Sequence, residues 1–128
     1  MTLLLDTHVF LWWVNDDPRL SSRARDLIGS RRNRLFLSVA GIWEILTKVQ
    51  IGKMRLTEPA GPYLQQQLVS NQIQVLPLLL GHTLRLEHLP LHHRDPFDRI
   101  LIAQSLEENY PILTADPLLG KYDARLLW

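Results

Sequence analysis

The sequence predicts an α/β fold in which a parallel β-sheet is covered by helices on both faces. Short apolar runs alternate along the chain with segments of helical periodicity, which is the pattern of βα units. The first run, Thr2–Leu5, is continuously apolar, as expected for a buried strand of a parallel sheet. With 128 residues, 46% of them hydrophobic, the chain suits a single domain over residues 1–128 with its own core.

The first half of the chain is expected to supply two strands and three helices. A turn signal at Asn15–Pro18 follows the first helical segment, and a serine then offers an N-cap to the second. Apolar residues recur at helical spacing after residue 38, and Gly52 follows them as a stop signal. The expected elements are a strand at Thr2–Leu5, helices at Val9–Val14 and from Ser21 or Ser22 to about Ser30, a strand at Arg34–Ser38 and a helix at Val39–Ile51.

The second half contains the clearest helix start in the chain. Asp95-Pro96-Phe97-Asp98 offers an N-cap, a proline at the first helical position and an acid at the third. The helix that follows is apolar nearly all round, so it is expected to be buried. The expected elements are helices at Pro59–Asn71, at Gly81–His88 and from residue 96 to about Glu108, and strands at Ile73–Leu76, Pro111–Thr114 and Arg125–Trp128.

Composition excludes several classes of function. The chain has no cysteine, which excludes a disulfide framework, a thiol nucleophile and a thiolate metal site. Its formal net charge of +1 does not match a histone-like basic protein. The apolar N-terminal stretch lacks the features of a signal peptide, and no apolar run reaches the roughly 20 residues of a membrane helix. We expect a cytoplasmic protein that does not associate with a membrane.

Acidic residues fall where an α/β sheet carries its chemistry. Asp6 follows the first strand directly and Asp116 follows the fourth, and ligands bind outside the carboxyl ends of parallel strands. Either residue alone is as readily explained as a helix N-cap or a turn former. The stronger candidate is Asp6, because a carboxylate beside a buried strand needs a partner or a metal.

Glu44 and Asp98 each admit two interpretations. On its helix Glu44 lies opposite the apolar residues Ile42, Ile45, Leu46 and Val49, where it either pairs with Lys48 in solvent or points towards the cleft at Asp6. The Asp98 carboxylate is either ordinary helix-start electrostatics or a ligand at the sheet edge. The apolar character of its helix favours the ligand, with Asp95 as the cap.

A cluster of carboxylates in a protein without cysteine favours a hard cation, Mg²⁺ or alternatively Mn²⁺, over zinc. The five histidines contain no i, i+4 pair, and we interpret His92 and His93 as part of a solvated loop rather than as ligands. Acids gathered without a cation repel one another, so the cluster is expected to depend on its ion.

Four stretches in order, LLLDTHVFLWW, SVAGIWEI, HRDPFDRILIAQ and ILTADPLL, together resemble the PIN-domain nucleases, and within them the VapC-type toxins of toxin–antitoxin pairs. The resemblance implies an α/β/α sandwich, an acidic pocket for one or two divalent metals, a homodimer, and an antitoxin whose tail covers the pocket. Carried over by position, the catalytic and metal-binding acids are Asp6, Glu44, Asp98 and Asp116, supported by the hydroxyl of Thr114. Asp95 belongs to a subgroup feature, and helix capping is the preferred account of it.

The resulting hypothesis is a Mg²⁺-dependent endoribonuclease toxin, in which metal held by carboxylates activates a water for attack on an RNA phosphodiester. The alternatives are a PIN-type RNA-processing nuclease without an antitoxin, a catalytically silent PIN module that binds a protein, and a phospho-acceptor signalling domain. The last is disfavoured because Asp6 stands alone after its strand. Basic groups that could attract RNA are Arg31, Arg32 and Arg34, then Lys48, Lys53 and Arg55, and then Arg94 and Arg99.

The first helix carries more apolar side chains than we expect a domain of this size to bury. Phe10, Trp13 and Val14 share one face, while Leu11 and Trp12 point elsewhere. One side is expected to cover the sheet and the other to contact a second copy or an antitoxin helix, with Trp12 in the contact.

Overall fold

The computed structural model describes residues 1–128 and contains a sheet of five strands, every neighbouring pair of which is parallel. In chain order the strands are β1 (Thr2–Leu5), β2 (Arg34–Ser38), β3 (Ile73–Leu76), β4 (Ile112–Leu113) and β5 (Leu126–Leu127). The helices are α1 (Thr7–Val14), α2 (Ser22–Gly29), α3 (Val39–Gln50), α4 (Ala60–Ser70), α5 (Leu80–Arg85) and α6 (Pro96–Glu108), with 3₁₀ turns at Leu86–His88 and Pro117–Lys121. The predicted strands and helices are confirmed to within a few residues at their ends.

The strand order explains where a ligand site can form. The sheet runs β3-β2-β1-β4-β5, so the chain builds outwards from β1 in one direction and then returns to add β4 on the other side. The connections leaving β1 and β4 therefore diverge, which opens a crevice at the carboxyl ends of these two strands. Asp6 and Asp116 both follow strands that border this crevice.

Short polar side chains begin four of the six helices. The side chains of Asp6, Ser21, Ser38 and Asp95 each accept a hydrogen bond from a backbone N–H in the first turn of the helix that follows. Gly52, with a positive φ of 78°, follows the end of α3 as predicted, because a residue without Cβ adopts that conformation freely.

Two apolar clusters cover the two faces of the sheet, which confirms the three-layer α/β/α architecture. On one face Leu3 and Leu5 of β1 pack with buried residues of α1, α2, α3 and α4. On the other face Leu4 packs with Leu101 and Ile102 of α6 and with the C-terminal 3₁₀ turn. Because β1 alternates between two covered faces, its whole run is apolar. No helix combines the length and the apolar character that crossing a membrane demands.

The expectation that α1 leaves an apolar side uncovered is wrong. None of its large apolar side chains is exposed. The indole N–H of Trp13 donates to Oδ1 of Asn71 at 2.9 Å, which ties α1 to the end of α4. The ring of Trp12 packs edge-on against Trp128 at 5.9 Å between ring centroids and under the guanidinium of Arg19 at 5.1 Å. The chain therefore covers this helix by itself.

The expected apolar stripe of α3 is also wrong in part. Ile45 is fully buried, but Leu46 is 40% exposed and Trp43 is 62% exposed, whereas Glu44 is only 5% exposed. The reason is that the start of α6 packs against α3 at the carboxyl ends of β1 and β2, so Glu44 shares a small cavity with Phe97 and Asp98 of α6. The Trp43 ring touches Phe97 only edge-on, at 5.1 Å between ring centroids. An apolar surface, consisting of Val39, Trp43 and Leu46, is left facing outwards.

We predict that Trp13→Phe lowers the free energy of unfolding by about 1 kcal/mol more than Trp12→Phe, because only Trp13 donates a side-chain hydrogen bond across the fold. Urea denaturation followed by circular dichroism measures both. Both variants lose an indole from the same helix, so the comparison isolates the bond to Asn71. Equal losses, or a larger loss for Trp12→Phe, would show that this bond does not stabilise the fold.

Candidate active site

The crevice between β1 and β4 is bridged by one hydroxyl group. Oγ1 of Thr114 donates to Oδ2 of Asp6 at 2.6 Å and accepts the backbone N–H of Asp116 at 3.0 Å. The other carboxylate oxygen of Asp6 accepts the backbone N–H of His8 at 3.3 Å, which makes Asp6 the N-cap of α1. The residue predicted as a supporting hydroxyl therefore joins two of the predicted acids.

The two carboxylate oxygens of Asp116 have different partners: one caps the following 3₁₀ turn and the other lies near His93. Oδ1 accepts the backbone N–H of Leu118 at 2.9 Å and so caps the 3₁₀ turn that follows β4. Oδ2 lies 3.7 Å from Nε2 of His93. The cap fixes the carboxylate, and one oxygen is left directed at the crevice.

His93 lies among the acids, contrary to the interpretation of this segment as a solvated loop. Its Nε2 is 3.1 Å from Oδ2 of Asp98, and one ligand atom from each of His93, Asp98 and Asp116 lies within 4.8 Å of the others. Nδ1 of His93 accepts the backbone N–H of Asp95 at 3.1 Å, so in the neutral ring the proton resides on Nε2. The residue presents an N–H to the carboxylates.

One sequence signal could have placed His93 in the site, namely its distance along the chain from the N-cap of α6. A histidine two residues before the N-cap Asp95 can reach back to the first turn of α6, whereas its neighbour His92 is exposed as expected. The lack of an i, i+4 histidine pair does not separate these two residues, whereas the distance from the cap does.

Asp95 acts as the N-cap of α6. Its Oδ1 accepts the backbone N–H of Phe97 at 2.8 Å and that of Asp98 at 3.3 Å. Capping fixes the first turn of the helix and with it the position of the Asp98 carboxylate. The capping interpretation agrees with this geometry.

Glu44 combines features of both interpretations. Its Oε2 is 2.9 Å from Nζ of Lys48 one turn later, as an i, i+4 pair, but the side chain is buried rather than solvent-facing. Glu44 and Asp98 line one small cavity at the ends of β1 and β2, together with Thr7 and Ser38. The carboxylate therefore points towards the cleft, and Lys48 is the cation nearest to it.

Burial and mutual repulsion raise the pKa values of two acids in the cluster. Burial, reinforced by the negative charges of Asp95 and Asp6, raises the pKa of Asp98 to about 7. Burial also raises the pKa of Asp6, although the hydrogen bond donated by Thr114 opposes this. The bond to Glu44 raises the pKa of the Lys48 ammonium, which stabilises its charge. A positive charge entering the cluster would relieve this repulsion.

The donor set fits a hard divalent cation. Carboxylate oxygens of Asp98 and Asp116 converge with the Asp6–Thr114 pair behind them, and oxygen donors suit Mg²⁺ or Mn²⁺ rather than a thiophilic metal. Raised pKa values at Asp6 and Asp98 mark carboxylates that lack sufficient positive charge around them. Both observations agree with a site for a cation.

A family model described as the PIN domain matches residues 3–124, a span that contains every acid of the cluster. The chain belongs to the PIN domain family. Among curated proteins it is similar to Ribonuclease VapC22 of Mycobacterium tuberculosis, with 26% identity over 122 residues that cover 94% of this chain and 92% of that protein.

Solved structures share the fold of this PIN domain at low sequence identity. VapBC2 from Rickettsia felis, bound to a DNA fragment from their promoter, matches with a TM-score of 0.73 and 14% identity over 99% of this chain and 98% of the other. DNA-bound VapBC from Salmonella typhimurium matches with a TM-score of 0.70 and 12% identity over 99% and 97%. FitAcB from Neisseria gonorrhoeae matches with a TM-score of 0.65 and 15% identity over 98% and 96%.

We predict that the metal-free protein loses stability as pH rises and that Asp98→Asn reduces this loss. The folded-state pKa of Asp98, about 7, exceeds its ordinary value of 3.8. Its favourable contribution is therefore complete below about pH 4 and is lost as pH rises through about 7. Melting temperatures of both proteins in EDTA between pH 4 and 8 measure this. Parallel curves for the two proteins would contradict the assignment.

Proposed function

We propose that this PIN domain is a Mg²⁺-dependent endoribonuclease, with Mn²⁺ as a possible substitute, and that it is the toxin of a toxin–antitoxin pair acting in the cytoplasm. The observation that carries the proposal is the convergence of Asp98, Asp116 and His93 beside the Asp6–Thr114 hydrogen bond at the switch point of the sheet. The similarity to a ribonuclease and to VapBC complexes supports it.

Each acid has a distinct part in the proposed site. Asp98 and Asp116 would hold the cation directly, since one carboxylate oxygen of each lies within 4.8 Å of the other. Asp6 and Glu44 would complete the negative site from its buried side, where Thr114 and Lys48 hold them in place. A divalent cation bound there would lower the pKa of water and neutralise phosphate oxygens.

His93 is proposed to position the two carboxylates nearest to it. Because its Nδ1 is occupied by the N–H of Asp95, its Nε2 carries a proton and offers that proton to oxygens rather than a lone pair to a cation. The ring thus restrains Asp98 and Asp116 while leaving their remaining oxygen lone pairs for a ligand.

The phospho-acceptor alternative is not supported by the surroundings of Asp6. Both of its carboxylate oxygens accept hydrogen bonds, and the residue is buried. Such a domain requires a lysine at the end of a later strand, but Lys48 lies on α3 and pairs with Glu44, and Lys121 lines a different cavity with Arg85. An RNA-processing nuclease without an antitoxin keeps the same chemistry, and a neighbouring gene for a small DNA-binding protein would argue against it.

We predict that Asp6→Asn, Glu44→Gln, Asp98→Asn and Asp116→Asn each remove most Mg²⁺-dependent cleavage of RNA while the protein stays folded. Each change keeps the shape of the side chain and removes the charge that a cation needs. Gel-based cleavage assays and thermal melts are run together on all four variants.

Asp95→Ala is the matched control for these variants. It removes an acid from the same turn as Asp98 but should cost about 1 kcal/mol of stability and leave most activity, because its role is capping. Full cleavage by two or more of the four charge variants would show that the acids do not form one site. Loss of activity in Asp95→Ala at an unchanged melting temperature would show that Asp95 acts on the chemistry.

The partners proposed for this chain are RNA, an antitoxin and a second copy of itself. The likeness of the fold to VapBC complexes supports the antitoxin. The outward-facing surface of α3, consisting of Val39, Trp43 and Leu46, supports an apolar contact between copies. We therefore propose this surface as the dimer contact in place of α1, whose large apolar side chains are covered within the chain.

We predict a homodimer at micromolar concentration that Leu46→Glu dissociates, because a charge in a desolvated apolar contact is costly. Sedimentation velocity without antitoxin measures the assembly. Val69→Glu is the control, since Val69 is 79% exposed on α4 and lines a different groove, beside Arg34 and Gln74. A monomeric wild-type protein would exclude the homodimer, and equal dissociation by both variants would exclude α3 as the contact.

A further inference from the structure

A large cavity of the protein lies beside the acidic site rather than within it. It has a volume of about 610 Å³ and lies between the 3₁₀ turn Leu86–His88, α6 and the residues that follow the second 3₁₀ turn. Its lining is mainly basic and aromatic, and the residues that matter here are Arg85, His88, His92, Lys121, Tyr122 and Asp123. None of these belongs to the acidic cluster.

Two consecutive histidines separate this cavity from the acidic cluster. His93 lies 3.1 Å from the carboxylate of Asp98, whereas His92 lines the cavity. The backbone N–H of His93 donates to the hydroxyl of Tyr122 at 2.8 Å, and the ring of His92 stands edge-on to the Tyr122 ring at 5.1 Å. A strand that leaves the acidic cluster past this pair would enter the cavity.

Helix α6 sets the distance between the two. Asp98 is at its start and Leu106, which lines the cavity, is eight residues later, so the two are separated by about 12 Å along the helix axis. A stacked nucleic-acid strand advances about 3.4 Å per nucleotide. The cavity is therefore within a few nucleotides of a phosphate held at the acids.

Of the basic side chains in and around the cavity, Arg99 and Arg85 are already paired, whereas Lys121 is not. The guanidinium of Arg99 donates to the backbone carbonyls of Pro90 at 2.8 Å and Leu89 at 3.2 Å, so Arg99 fixes the loop and is not a free RNA contact. Arg85 pairs with Glu107 at 2.7 Å. Lys121 forms no ion pair, which leaves its ammonium for an anion.

We propose that this cavity binds one unstacked nucleotide of the RNA strand close to the one that is cut. The inference depends on the proposed ribonuclease function and adds a subsite to it. The base would stack on the exposed ring of His92, the phosphate would pair with Lys121, and Asp123 would accept a hydrogen bond from the base or the ribose hydroxyl. Aromatic rings beside cations are the usual means of binding single-stranded nucleic acid.

The test is the binding of a short labelled single-stranded RNA to the full chain in EDTA, measured by fluorescence anisotropy over a range of salt concentrations. EDTA prevents metal-dependent cleavage. His92→Ala should weaken binding at least about fivefold, as expected for the loss of one stacked base. Lys121→Ala should weaken binding and reduce the slope of log Kd against log salt concentration by about 0.7, which is the loss of one phosphate contact.

The matched control is Arg23→Ala, which removes one positive charge from α2 on the opposite face of the sheet and should leave Kd unchanged. Wild-type affinity in both His92→Ala and Lys121→Ala would overturn the subsite, while continued Mg²⁺-dependent cleavage would keep the ribonuclease. An equal effect of His92→Ala on double-stranded RNA would overturn the stacking, because a paired base is not free to leave its stack. A wild-type protein that neither binds nor cleaves RNA would overturn both proposals.

Discussion

The hydrogen bond from Thr114 to Asp6 is the interaction on which the site depends. It spans the point where the sheet reverses its order of strands, and the same hydroxyl accepts the N–H of Asp116. One side chain thus links the residues that follow β1 and β4 and also orients two acids. A carboxylate that is almost fully buried needs such a donor, since its charge would otherwise be uncompensated.

The protein collects like charges at one edge of its sheet by giving most of them a second, structural task. Asp6, Asp95 and Asp116 each cap a helix or a 3₁₀ turn, so backbone N–H groups and helix dipoles offset part of their repulsion. Glu44 caps no helix, and the ammonium of Lys48 offsets its charge instead. At Asp98, burial together with the negative charges of Asp95 and Asp6 raises the pKa to about 7.

Sequence patterns predicted the layers and strands because each depends on local signals: continuous apolar runs, capping serines and aspartates, and the start at Asp95. They failed where an element is covered by something distant in sequence. Trp13 is satisfied by Asn71, 58 residues away, and Glu44 lines a cavity to which Phe97 and Asp98 of α6 also contribute. His93 was missed for a related reason, since its place among the acids depends on a loop folding back onto α6.

The double task of these aspartates also affects how a gene for such a protein could change. A single transition in the first base of an aspartate codon gives asparagine, which caps helices about as well. At Asp116 that change would keep an oxygen for the N–H of Leu118 and remove the charge, whereas at Asp6 it would also replace one of the two oxygens that accept hydrogen bonds. Loss of the charge at Asp116 is therefore one nucleotide away, and it leaves the cap of the 3₁₀ turn in place.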